Sequence, residues 1–493
     1  MKEQEERFAR SLPENLARLK ELFGDSMDYL PRTFRVGETL AALITIDGLT
    51  NKQTVAQSIL QPILAAPVLQ LTGQEKLCYI RDHALAAVEQ KEITSLQMGL
   101  ELLMAGFALL LMDGASFVLA FGVQGFPLRG VDEPSNEVMQ RGSREGFIES
   151  VQMNAAMIRR RLRTPKLRFE SMTVGKESRT QVALCYMEGK VDPTLLQKIR
   201  DKLQKIPLDD TLAAGFLTPF LHGSGIFSGV GLTERPDTVC GKIEEGRVAI
   251  LINGTPNVLL VPFLFIENFQ SFDDYAIRPS FAAFARYLKI FSFFVAMLAP
   301  GVFVSVCTFH PELFTMTLLM KVAQAQIQTP FPIIAETFIV QILYEVLREA
   351  GLRVPRSLSQ TISIVGALVI GETAINAGFI SGPTLLIVAI SAVCSYTIPS
   401  LYEPLALLRL LFILLGGTVG LWGIFAALVI VLVDLCGESL FGIPFGAPLS
   451  PFSRRGLRDS LWRMSWKKMA GKPFLVQHMP GSHVKEQKED GEN

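Results

Sequence analysis

A charge-poor block near the C-terminal end constrains this chain most. Residues 288–436 hold only 13 Asp, Glu, Lys or Arg in 149 positions, about 9%, against roughly 25% in an ordinary globular protein. A block that apolar has to be covered by protein or by lipid. The chain as a whole has 493 residues and is 19% charged, with a mean hydropathy of +0.33. The excess is local, because the first 285 or so residues have an ordinary composition. The pattern predicts an α/β cytoplasmic N-terminal region followed by an α-helical polytopic membrane domain. Lys+Arg and Asp+Glu number 47 each, so a chain-wide basic field for nucleic acid is excluded.

A helix needs about 20 apolar residues to cross a bilayer core. Residues 288–309 meet this with Lys289 alone charged and Pro300 near the middle. Residues 361–380 carry one charge, Glu372, and 384–398 carry none but are short. Residues 410–433 are uncharged and give the strongest span signal, and Gly416-x-x-x-Gly420 permits close helix approach within or between chains. Residues 331–352 differ, because Glu336, Glu345, Arg348 and Glu349 make a simple lipid-exposed span unfavourable. After residue 453 come Arg454, Arg455, Arg458, Arg463, Lys467, Lys468 and Lys472 against Asp459, which puts the tail on the cytoplasmic side. Met1–Arg7 lacks an apolar core, so no cleavable signal peptide is expected. With both ends inside, the span count is even: four spans, with 331–352 lying along or dipping into the membrane.

Carboxylates inside such a block are functional leads, since each costs several kcal/mol unless neutral, paired or wet. Glu372 lies one helical turn before Asn376, on the same face. It reads either as a pore-facing, ion-binding group or as a protonated side chain hydrogen-bonded between helices. Glu336 and Glu345 are half a turn out of phase and face opposite sides. Glu345, Arg348 and Glu349 suggest an ion-paired helix end.

The N-terminal region contains an echo. A-L-I-T-I-D-G at 42–48 is matched by A-L-C-Y-M-E-G at 183–189, and G-F-A-L-L-L-M-D-G at 106–114 by G-R-V-A-I-L-I-N-G at 246–254. Asp-Gly and Asn-Gly between apolar runs are hairpin signals. Two echoes at nearly one offset predict two related α/β subdomains, coincidence being the alternative. Between them, Arg159-Arg-Arg-Leu-Arg163 ends a helical stretch. It reads as a solvated helix end or as a docking surface for anionic lipid or an acidic partner.

Longer motifs carry more information. T-P-F-P at 329–332, then Glu336, L-R-E-A-G-L-R-V-P at 347–355 and S-I-V-G-A-L-V-I-G at 363–371 resemble the GerA family of spore germination receptor A subunits. T-E-R-P-D at 233–237 resembles the family's membrane-proximal motif, Q-R-G-S-R-E-G-F at 140–147 its R-G-P-R-E-G-F, and 159–167 its R-R-x-x-x-P-x-L. The similarity runs in order from about residue 40 to 453. Three departures stand out: Ser143 where the family usually has Pro, Glu372 where it often has Gln, and the glycine-rich stretch His222–Gly231. The last resembles the stage V sporulation protein AF branch, while the P-F-P motif and the 347–355 motif favour the receptor A branch.

The resemblance implies a multi-pass protein of the endospore inner membrane with both termini on the core side. It implies a transporter-like B subunit and a lipoprotein C subunit as partners, and a homo-oligomeric ring forming a nutrient-gated cation channel. The expected units are 1–125 and 126–285 (cytoplasmic subdomains), 286–440 (membrane) and 441–493 (basic tail, its end disordered). Pore or ion-path candidates are Glu372, Asn376, Ala367 and Glu336. Gating candidates are Pro330, Phe331, Pro332, Glu345, Arg348, Glu349, Arg353 and Pro355. Domain-coupling candidates are Glu234, Arg235, Pro236, Asp237, Arg141, Arg144 and Glu145. No cofactor or metal is expected: six cysteines are scattered without a C-x-x-C, and the five histidines do not cluster with carboxylates. P-loop, G-x-S-x-G and H-E-x-x-H patterns are absent, which argues against an enzyme. A non-conducting scaffold for the sensor subunit and a secondary transporter are the alternatives to a channel.

Overall fold

The computed structural model describes residues 6–67, 71–84, 89–125, 137, 142–223, 225–353, 372–454, 456–469 and 475–483. The N-terminal region contains two five-stranded antiparallel sheets. The first comprises β1 Tyr29–Val36, β2 Thr39–Ile46, β3 Gln90–Ile93, β4 Phe107–Met112 and β5 Val118–Gly122, in the order β1-β2-β4-β5-β3. The second comprises β6 Leu167–Val174, β7 Thr180–Met187, β8 Gly231–Thr233, β9 Val248–Ile252 and β10 Val258–Val261, in the order β6-β7-β9-β10-β8. The strand orders correspond one for one. The two sequence echoes fall at matched places: the ends of β2 and β7, and the hairpins that β4 and β9 open. Gly114 and Gly254 both take positive φ, +83° and +94°, which their turns demand and which a side chain resists.

Side chains alternate along a strand, so a sheet buried on both faces separates them into two cores. On β4, Leu109 and Leu111 enter one core, while Ala108, Leu110 and Met112 enter another. On β9, Ala249 and Leu251 join one core with the helix Val151–Arg161 (α1) and the helix Pro236–Glu244 (α2). Val248, Ile250 and Ile252 face the opposite way, into a core that also contains Phe293, Met297, Leu405 and Phe412 of the helical region. The second sheet therefore shares its core with the C-terminal bundle.

The bundle starts with α3, Pro279–Phe309, whose 31 residues span about 46 Å at 1.5 Å each. There follow α4 Met316–Ile327, α5 Ile333–Arg353, α6 Gly382–Ser395, α7 Tyr402–Thr418 and α8 Leu421–Gly437. Among the described residues, two helices are long and apolar enough to cross a membrane, Pro279–Phe309 and Pro399–Thr418, and Gly382–Ser395 and Leu421–Gly437 are shorter apolar helices. Pairing of Arg409 with Ala296, Gly416 with Gly301 and Gly420 with Phe309 sets α7 parallel to α3.

Two expectations change here. The uncharged run 410–433 is not one span. Gly420 takes φ +77°, α7 stops at Thr418, and α8 turns back with Ile424 against Gly416. Gly416 packs on Gly301 of the same chain: a Cβ on it would lie 2.3 Å from the Gly301 carbonyl oxygen. Nor does 331–352 lie apart from the bundle. As α5 it runs lengthwise and antiparallel to α7, with Ile334 at Gly417 and Glu345 at Tyr402. Its charged residues are accommodated because neighbouring side chains, rather than lipid, receive them. The expected span 361–380 lies outside the described residues up to Gly371.

The C-terminal segment is packed as well. Ser439–Leu440 (β11) pairs with Ile443–Pro444 (β12), and Phe445, Ala447, Val476 and Met479 join the core shared by the second sheet and the bundle. Phe265 N donates to Phe445 O at 3.1 Å, and Val476 N to Glu245 O at 3.0 Å.

Candidate functional site

A polar seam runs through the bundle along α5. Helical spacing puts Glu336, Thr337, Val340 and Gln341 on one stripe, and all four are buried. At one end, Glu336 Oε1 accepts from Ser381 N at 2.6 Å. Ser381 caps α6, so the carboxylate meets an amide that has no partner inside the helix. Ser381 Oγ also bonds Thr384 Oγ1 at 2.9 Å. Glu336 Oε2 is buried without a hydrogen-bond partner among the described residues.

At the other end, Gln341 Nε2 donates to Glu345 Oε1 at 2.9 Å and the Tyr402 hydroxyl donates to Glu345 Oε2. Arg409 stands 3.8 Å from Glu345 Oε1 and is fully buried. Its Nε donates to Ala296 O at 2.9 Å, and Ser391 Oγ donates to the same oxygen at 2.8 Å. Pro300 explains that convergence. Proline has no N–H for the carbonyl four residues earlier, so Ala296 O is left for α6 and α7 to satisfy. The proline that suggested a break joins three helices instead.

The expected residues divide. Glu336 and Glu345 bind different neighbours, in keeping with their opposite phases. Glu345, Arg348 and Glu349 do not form one ionic cluster: Arg348 stacks on the Tyr402 ring at 3.3 Å, and Glu349 pairs with exposed Arg353 at 2.6 Å. Glu372 and Asn376 are both on the chain's exposed surface. Pro330, Phe331 and Pro332 form an exposed turn between α4 and α5, held by Gln326 Nε2 to Phe331 O at 2.9 Å. Ala367, Pro355 and Arg141 lie outside the described residues.

The coupling candidates lie together. Arg235 is buried and donates to Asp237 Oδ2 at 2.6 Å, Ser143 O at 2.8 Å and Glu137 O at 3.2 Å. Glu234 O accepts from Phe147 N at 2.8 Å, which stitches the 143–147 motif to the edge of the second sheet. Pro236 opens α2, where a missing N–H costs nothing. Burial raises Glu137, against the bonds it accepts from Thr233 and Glu234 N. Glu145 accepts from Arg160 and Arg161, each at 2.5 Å. Burial pushes Glu145 upward, but the two guanidiniums outweigh it and lower it overall. Arg144 is exposed. These residues organise the second sheet internally.

Three arginines outside the named site candidates stand out. Arg159, the first of the arginine run, is fully buried and joins the two sheets through Asp28, with Nε to Oδ2 at 2.7 Å and Nη2 to Oδ1 at 3.0 Å. Arg159 is thus part of neither a solvated helix end nor a docking surface, Arg160 and Arg161 pair with Glu145, and Arg163 is exposed. Arg286, at the root of α3, bonds Asp274 Oδ2 at 2.8 Å and Ser460 O at 2.9 Å, tying the C-terminal segment to the first bundle helix. Arg409 is the third, and its signal was present: a lone Arg between Leu408 and Leu410 in an apolar stretch.

The model of the Bacillus/Clostridium GerA spore germination protein family matches residues 17–475. The chain belongs to the GerA family. The Bacillus subtilis spore germination protein KA is 36% identical to it over 463 residues, 92% of this chain and 85% of that protein. Bacillus cereus spore germination protein GerLA is 30% identical over 89% of this chain and 90% of its own. The Bacillus subtilis stage V sporulation protein AF is 28% identical over 82% of each chain, so this GerA member stands with the receptor A subunits, as its P-F-P motif indicated. Among solved structures, the N-terminal domain of the A subunit of the Bacillus megaterium spore germinant receptor GerK3 is similar. It is 30% identical and covers 53% of this chain and 99% of its own, with a TM-score of 0.43.

Proposed function

We propose that this GerA-family A subunit is a multi-pass protein of the endospore inner membrane that forms a homo-oligomeric, nutrient-gated cation conduit. The carrying observation is the exposure of Glu372 and Asn376 on the outside of a bundle whose other outward side chains include Leu386, Leu407, Trp422, Phe425 and Ile430. Facing lipid, a carboxylate costs several kcal/mol. Facing the same residue on neighbouring copies, it lines a wet path. Cations would follow that path between copies.

The C-terminal segment packs on the second sheet through Phe445, Ala447, Val476 and Met479. This supports a topology with the sheets and the C-terminus on the core side. The motifs support assembly with a transporter-like B subunit and a lipoprotein C subunit, whose nutrient binding would shift the population of open rings through differential contacts.

The test is monovalent-cation flux from liposomes containing verified oligomers, alone and with partner subunits and nutrient. Glu372→Gln should change conductance or its pH dependence while leaving assembly intact. Flux unchanged by the substitution removes Glu372 from the path. No flux from any verified assembly favours a non-conducting scaffold.

A further inference from the structure

The glycine-rich stretch before T-E-R-P-D plays no part in the conduit reading, yet it meets the membrane-proximal end of the last bundle helix. Ile226 N donates to Asp434 Oδ2 at 2.9 Å, and Gly225 N to Glu438 Oε1 at 3.3 Å. The glycines let the backbone come this close. A Cβ on Gly223 would lie 2.3 Å from Glu438 Oε1, and one on Gly225 would lie 2.1 Å from Oε2. One on Gly229 would lie 3.0 Å from Leu440 Cδ2, and one on Gly231 2.3 Å from the Phe263 ring. A side chain at Gly223 or Gly225 would push the Glu438 carboxylate aside.

The same place carries an incomplete hydrogen-bond account. His222 Nε2 lies 3.1 Å from Gly225 O. A carbonyl only accepts, so Nε2 carries the hydrogen, and in the neutral ring Nδ1 is a bare lone pair. Among the described residues, Nδ1 is buried without a partner, and so is Glu438 Oε2. Two buried acceptors and no donor make an unfavourable arrangement, since each forfeits its water. A proton on Glu438 neutralises its enclosed carboxyl and lessens that cost.

We propose that His222, Gly223, Gly225 and Ile226 clasp Asp434 and Glu438 in a proton-dependent joint, which couples the second sheet to the last helix of the bundle. Protonated, the joint is closed. Deprotonated, it is loosened, and α8 is freed from the sheet at its cytoplasmic end. The charged or titratable groups facing Glu438 are His222 and Asp434. Lys202 stands nearby over the Phe441 ring at 4.6 Å. Burial holds the Glu438 carboxyl above its ordinary value, while the Gly225 N–H and His222 oppose the shift. The sign follows. A carboxyl raised in the closed state contributes stability below its free value and loses it as pH rises through the raised value. The joint therefore opens toward higher pH. The inference is independent of whether the ring conducts.

Amide exchange on the full-length protein in detergent tests it, with protection factors at Gly225 and Ile226 corrected for intrinsic rates and followed from pH 5 to 8. The wild-type protein should lose at least about tenfold protection across the range. Glu438→Gln keeps shape and a donor, so it should retain protection and flatten the profile. Asp434→Asn should lower protection at every pH while leaving the slope. Gly225→Ala should abolish protection there and leave it unchanged on β6 and β7, showing that the sheet still folds. Wild-type protection that is flat with pH, or a Glu438→Gln profile as steep as wild type, overturns the proton dependence. Undiminished protection in Gly225→Ala overturns the clasp.

Discussion

The most deeply enclosed arginines of the two regions are satisfied differently. In the sheets, Arg159 is satisfied by Asp28, Thr164 O and Leu167 O, and Arg247 by Glu245, Glu267 and Pro262 O. Each guanidinium is fully enclosed and bonded through all its nitrogens. In the bundle, Arg409 is equally enclosed, but among the described residues its Nη1 and Nη2 make no hydrogen bond, and neither do Glu336 Oε2 or Gln341 Oε1. A buried ion left without a partner is costly, whereas a complete network mainly fixes one arrangement. The contrast fits sheets pinned in one arrangement at Arg159 and Arg247 and a bundle seam at Arg409 that can exchange partners.

The largest expected effect therefore falls on the sheets. Asp28→Ala leaves Arg159 enclosed without its carboxylate, which costs about 3–5 kcal/mol. Thermal unfolding of the full-length protein should show a clear loss. Arg159→Met together with Asp28→Ala should recover much of it, because a matched apolar pair replaces the ions. A silent Asp28→Ala would erase the distinction between sheets and bundle.

A smaller effect probes the bundle where its helices are closest. Gly301 and Gly416 face each other so tightly that a Cβ on either clashes with backbone, 2.5 Å from Phe412 O and 2.3 Å from Gly301 O respectively. Gly416→Ala should cost roughly 1–3 kcal/mol through overpacking, seen as a lower denaturation midpoint. Gly417→Ala is the control: its Cβ would meet the Ile334 side chain, which can move, rather than backbone. Equal losses at the two glycines would refute a backbone-limited contact.

These sites show what was legible in the sequence. The sheets were readable because short apolar runs closed by Asp-Gly or Asn-Gly turns are local signals, and both hairpins stand where the echoes placed them. The arginine run was misread because Asp28 lies 131 residues away, a separation that spacing along one helix cannot reveal. The run 410–433 was read as one helix because hydropathy registers side chains, while the break at Gly420 is a matter of φ. Glu345, Arg348 and Glu349 looked ionic together because helix spacing brings them close. Their neighbours on α7, Tyr402 and Arg409, decided the pairing. Pro300 was noticed for what it breaks, while the carbonyl it frees became visible only in three dimensions.

The next effect depends on pH. Arg160 and Arg161 hold Glu145 below its ordinary value. A lowered carboxyl contributes stability above its unfolded value, lost as pH falls through the folded one. Acid should therefore release the 143–147 segment, whereas the joint at Glu438 stays closed there. Amide exchange at Phe147, whose N–H bonds Glu234 O, should rise below about pH 4, the usual carboxylate range. Glu145→Gln should remove that dependence. A wild-type profile identical to the variant's would show that the two guanidiniums do not set it.

The smallest effect belongs to the most visible ion pair. Glu349 and Arg353 lie 2.6 Å apart, one turn along α5, but their side chains are 54% and 78% exposed. Water screens the attraction, and two long side chains lose freedom to hold it, so such pairs contribute about 0.3–0.5 kcal/mol. Glu349→Ala should leave the denaturation midpoint nearly unchanged, while Glu345→Ala, which strips Tyr402 and Gln341 of their acceptor and Arg409 of the carboxylate 3.8 Å away, should lower it several times more. The two carboxylates are one helical turn apart on α5, so the pair of variants separates a position that packs the bundle from one that faces outward. If Glu349→Ala proves as damaging as Glu345→Ala, the exposed face of α5 is covered in the assembled protein, and the seam extends to the contact between copies.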